Sequence, residues 1–110
     1  MLDSKALLAE AAGWAQTLIG IRRELHQIPE FALDLPKTQA RILAAIEGLA
    51  EITLGKDLPS VALVIPGGKP GPTVLLRADI DAIKVAEEPG LEYASPTGFM
   101  PACGPAMHTA

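Results

Sequence analysis

Apolar residues at positions 7, 11, 14, 18, 21 and 25 (Leu7, Ala11, Trp14, Leu18, Ile21 and Leu25) recur at spacings of four, three, four, three and four. That rhythm places them on one face of an amphipathic helix. Asp3 or Ser4 stands where a cap belongs. Pro29 ends the helix, because the residue before a proline avoids the helical region. Gly13 and Gly20 weaken it by ~1 kcal/mol each relative to alanine. Asp34 followed by Pro36 then predicts the cap and first turn of a second helix. Ile42, Leu43, Ile46 and Leu49 share one side of that helix, and Gly48 marks its stop.

From Glu51 the rhythm changes. Residues 61–65 and 73–76 are β-rich runs separated by the loop PGGKPGP, residues 66–72. That loop joins two neighbouring strands but is too rich in proline for a tight two-residue hairpin turn. Thr73, Val74, Leu75 and Leu76 form a nearly continuous apolar run, the pattern of a central strand covered on both faces. Two helices, sheet strands and a site-bearing loop predict an α/β layer.

Length and composition narrow the function classes. The 110 residues suit one small domain with a modest core. Apolar residues are 49% and charged residues 20%, an ordinary globular balance. A net charge of −4 and an aromatic content of 4% argue against a nucleic-acid partner and against an anionic membrane surface. One cysteine forms no internal disulfide, no apolar run is long enough to span a bilayer, and the N-terminus carries no signal-peptide pattern, so the expected location is cytoplasmic.

The candidate chemistry lies towards the end of the chain. Asp79 and Asp81 directly follow the apolar run 73–76, and the ends of such strands are where α/β proteins place ligands. Residues two apart in extended chain point the same way, so both carboxylates can face one site. The alternative is a solvated turn. Cys103 is either a small buried hydrophobe or a soft-metal ligand. Pro105 offers no donor atom to complete a Cys-x-His pair, and His108 is either a ligand or a polar residue opening a helix. Arg22, Arg23, Glu24 and His26 cluster at the end of the first helix, where basic side chains complement the helix dipole. Glu87 and Glu88 precede Pro89-Gly90; adjacent carboxylates can serve as base and ligand in metallohydrolases, but here they read as a solvated loop pair. Gly67-Gly68 is no phosphate loop, since no Lys-Ser/Thr and helix start follow.

Several segments taken together resemble one family. RRELHQIPE, residues 22–30, is similar to the R-R-x-L-H-x-x-P-E segment of the metallo-amidohydrolases that include hippurate hydrolase, N-acyl-amino-acid amidohydrolases and indoleacetyl-amino-acid hydrolases, within the glutamate-carboxypeptidase-like superfamily. GPTVLLRADIDA, residues 71–82, resembles G-P-x-V-x-L-R-A-D-x-D-A, and EEPGLEYAS, residues 87–95, resembles E-x-x-G-L-x-Y-x-S. MPACGPAMHTA, residues 100–110, resembles M-H-A-C-G-H-D-x-H-T-A but departs from it at Pro101, Pro105 and Ala106.

The resemblance implies metal-assisted hydrolysis of the amide bond of N-acyl amino acids, with a two-metal centre of manganese, zinc, nickel or cobalt. It makes Cys103 the one retained motif ligand and places Asp79 and Asp81 beside the site. It also implies that 1–110 is an N-terminal fragment of the catalytic domain with no second domain, lacking the general base and most ligands. No catalytic residue is therefore assigned. The competing reading is a truncated, non-catalytic pseudoenzyme serving at most as a partner subunit. In either case exposed strands are expected to promote association or a homo-oligomer.

Overall fold

The computed structural model describes residues 3–88, 90–97, 100–102 and 108–110. Three helices precede a two-stranded sheet: α1 (Ser4–Gly13), α2 (Ala15–Gln27), α3 (Pro36–Ile46), β1 (Ile52–Leu54) and β2 (Val61–Leu63). This is the expected small α/β arrangement. Asp3 caps α1 by accepting a hydrogen bond from the Lys5 backbone N–H at 2.9 Å. Helical geometry then runs on through Trp14 to Gln27, two residues before Pro29.

The apolar face of α1 and α2 is covered only at its far end. Leu7, Trp14 and Leu18 remain 47%, 58% and 41% exposed, whereas Leu25 is buried. The core sits instead at one junction, where Leu25 and His26 of α2, Leu35, Thr38 of α3 and Ala82 are the buried side chains among the described residues. Main-chain bonds tie this junction together. The Ala82 N–H donates to the Glu30 carbonyl at 2.7 Å, and Phe31 and Ala82 form a parallel bridge. One residue on, Ile83 and Met100 exchange N–H···O bonds of 3.1 and 3.0 Å in an antiparallel bridge.

Three expectations need correction. The N-cap of α3 is Leu35, which makes no side-chain cap bond, and Asp34 does not cap the helix. The free N–H groups of its first turn go to Glu30, whose carboxylate accepts from Lys37 at 3.2 Å and Thr38 at 2.7 Å. A turn with Ala32 at φ 57° brings the chain back so that Glu30 can reach them. An acidic group there also suits the positive end of the helix dipole.

Second, β2 finds its partner upstream and not across the 66–72 loop. Ile52, Thr53 and Leu54 of β1 pair antiparallel with Leu63, Ala62 and Val61. The Gly55 N–H closes the connection onto the Ser60 carbonyl at 3.0 Å.

Third, residues 73–76 form no strand. Val74, Leu75 and Leu76 are 80%, 86% and 91% exposed. The apolar run has the composition of a strand buried on both faces, but the described residues cover neither face. Without a neighbouring chain there is no ladder for it to join.

These contacts predict that Glu30→Ala destabilises the chain by about 1 kcal/mol in urea unfolding through loss of the cap. Asp34→Ala, which removes no capping bond, should change stability by less than about 0.5 kcal/mol.

Candidate functional site

The most densely bonded cluster of side chains lies where α2 meets the loop 87–97. His26 is the penultimate residue of α2, and the face it shares with Leu25 is the part of the helix that the junction buries. Its Nε2 lies 3.0 Å from Oε1 and 2.9 Å from Oε2 of Glu87, with the two side chains only 5% and 3% exposed. The Ser95 N–H donates to Glu87 Oε2 at 2.7 Å, so the carboxylate binds both the helix and its own loop. Tyr93 meets the His26 ring edge-on, with centroids 5.8 Å apart. Arg23 and Arg22 sit over the Tyr93 ring at 4.7 and 6.0 Å. Glu87 is therefore not a solvated loop residue, and the basic cluster does more than complement the helix dipole.

The Ser95 backbone N–H holds the Glu87 carboxyl below the usual carboxylate range. Burial works against this, and the hydrogen bond and charge of His26 add to it.

Asp79 and Asp81 line a groove of about 660 Å³ together with His108, Thr109, and Ile42 and Ile46 of α3. Asp79 is exposed and paired with Arg77 at 2.6 Å, and its carbonyl accepts the Thr109 hydroxyl at 3.0 Å. Asp81 is half-buried and also faces a much smaller cavity against Leu25, Glu30 and Thr38. The chain thus brings both aspartates and His108 to one groove. Cys103 lies outside the described residues, as do Pro105 and Ala106. Among the described residues no three His, Cys, Asp or Glu side chains gather as a metal site, and no helix is long and apolar enough to cross a membrane.

Comparison with known proteins places these segments in context. The N-acetyldiaminopimelate deacetylase of Lacticaseibacillus casei is 44% identical over 97 residues, which cover 83% of this chain and 25% of the relative. The chain is similar to this deacetylase over most of its own length. The deacetylase of the same name from Streptococcus thermophilus is 42% identical over 99 residues, covering 83% of this chain and 26% of its own length. The chain therefore spans about a quarter of the length of the curated relatives it matches. No family model matches it.

Among solved structures, an M20-family peptidase, Bacillus subtilis YxeP, is described as dinuclear metal-binding. It superposes with a TM-score of 0.72 at 35% identity, covering 89% of this chain and 28% of its own. A protein of methicillin-resistant Staphylococcus aureus assigned to the aminohydrolases gives a TM-score of 0.83 at 34% identity, covering 97% and 29%. The three helices and short sheet thus match part of the fold of these M20-type neighbours.

A two-metal centre does not fit the donor set of this chain. Pro105 and Ala106 stand where the family motif has an imidazole and a carboxylate, and neither carries a donor atom.

What the sequence reading missed is the pairing of His26 with Glu87. Spacing along the chain cannot reveal a contact between residues 61 apart. The available signal was that both lie inside family-like segments, RRELHQIPE and EEPGLEYAS.

Glu87 also predicts a pH dependence. Its folded pKa is depressed, so the stability it contributes is complete above the unfolded-state pKa and is lost as pH falls through the lower folded value. Urea midpoints followed from about pH 7 to about pH 3 should decline across that window. The Glu87→Gln variant should lack this part of the slope.

Proposed function

We propose that this chain is the N-terminal portion of a metal-dependent amidohydrolase catalytic domain whose reaction is cleavage of the amide bond of N-acyl amino acids. By itself the chain hydrolyses no amide. The match to N-acetyldiaminopimelate deacetylases carries the first statement. The second rests on the donor loop, where Cys103 is followed by Pro105 and Ala106. Hydrolysis at a metal centre needs several ligands to fix geometry and a base to take the proton of the attacking water. Cys103 is the one motif ligand left, with Asp79 and Asp81 beside the site. Residues 1–110 form one unit of that catalytic domain, with no second domain among them. A cytoplasmic location accords with a single cysteine that has no internal partner.

The reading is tested by loading the chain with manganese or zinc, measuring bound metal by mass spectrometry, and assaying acetate release from N-acetyldiaminopimelate and benzoate release from hippurate. Metal well below one equivalent and no release above background are expected. Near-stoichiometric metal accompanied by hydrolysis would sink the proposal of inactivity. Release of neither product after Pro105→His is also expected, because one restored ligand supplies no base.

The exposed strip at Val74, Leu75 and Leu76 favours a role through association, as a homo-oligomer or as a non-catalytic partner subunit. Sedimentation velocity should show mass rising with concentration, and Leu75→Lys should shift the chain towards monomer. A monomer at all concentrations would remove this reading.

A further inference from the structure

We infer that His26 and Glu87 are positioning residues that act as a buried clasp, fixing the loop 87–97 on the C-terminal end of α2 and keeping the bridge between Ile83 and Met100 in place. Glu87 carries three polar contacts of 2.7 to 3.0 Å, two to the His26 imidazole of α2 and one to the Ser95 N–H of its own loop. No other described side chain joins two segments so far apart with both partners so fully buried. The loop it holds leaves and re-enters the fold through one pair of main-chain bonds, Ile83 N–H to Met100 O and Met100 N–H to Ile83 O. Among the described residues of the loop, the Ala94 N–H donates to the Leu91 carbonyl at 3.0 Å. The Glu87 carboxylate reaches out of the loop to α2, with Tyr93 beside it against His26, Arg22 and Arg23.

Among the described residues, these charged and titratable groups face the clasp. His26 comes from α2, and Tyr93 from the loop lies against the imidazole. Arg22 and Arg23, from the same helix as His26, sit over the outer side of Tyr93. Truncating either member of such a pair leaves the other buried without its partner, which costs more than the contact itself contributes. The clasp bears on chemistry only through the amidohydrolase reading, because residues 100–102 lead directly to Cys103.

Amide hydrogen exchange on the full 110-residue chain tests the clasp without metal or substrate. Its failure would therefore leave the amidohydrolase reading standing, and the converse also holds. At neutral pH, His26→Ala and Glu87→Ala should each lower protection of the Ser95 amide and the 87–97 loop by about tenfold or more, with α3 unaffected. The double variant should be no worse than either single one, since both remove the same interaction. Glu87→Gln keeps one acceptor oxygen and should retain part of the protection. Wild-type protection in the loop together with unchanged exchange in both alanine variants would overturn the clasp, as would losses that simply add. If an alanine variant unfolds throughout, the wild-type chain decides the matter on acidification. With exchange corrected for its intrinsic pH dependence, the loop should lose protection before α3 does. Loss of both in one step would overturn the proposal.

Discussion

A carboxylate that keeps only 3% of its side chain in contact with solvent has to find donors inside the protein, and the arrangement around Glu87 follows from that need. One donor is the Ser95 N–H, which bends residues 87–95 back on themselves. The other is the His26 imidazole, which can reach only if α2 runs to Gln27 and stops there. Pro29 enforces that stop. The chain then turns so that the Glu30 carbonyl receives Ala82 and the Glu30 carboxylate receives the first turn of α3. An Arg41–Glu24 ion pair links α3 to α2 on the outer side of the same junction. That pair is exposed, so it adds little beside the buried contacts.

The helices were legible because their information is local. A four-three apolar rhythm, a proline just past the second helix, another opening the third and an aspartate before the first turn are statements about neighbours in sequence. The cap of α3 was misread for the opposite reason. Asp34 stands at the expected place beside Pro36, but the groups that need capping are met by Glu30, four residues further back, through a turn that requires Ala32 at positive φ. Nothing in the residue type of an alanine announces such a turn, since alanine rarely adopts it.

The apolar run 73–76 was read correctly for composition and wrongly for state. A strand is a property of two chains lying side by side, and sequence reports only the demand of one of them. The same limit applied to the site. Both aspartates and His108 could be nominated from residue type and position, and they do line one groove. Glu87 looked like a solvated loop acid, because burial is decided by what arrives from elsewhere in the chain.

The family-like segments divide into two kinds. RRELHQIPE, LRADIDA and EEPGLEYAS supply the contacts that hold the junction: His26 to Glu87, Glu30 to Ala82, Glu87 to Ser95. These match the family pattern. The segment that departs from it, MPACGPAMHTA, joins the junction through Met100 and Thr109, and its departures fall at Pro101, Pro105 and Ala106. Proline and alanine at these positions offer no side-chain donor atom to a metal. The buried contacts of the junction do not themselves require the metal-ligand residue types that the family motif carries at these positions. That is why a chain can superpose well on an M20-family structure and still lack the donor set that a two-metal centre requires.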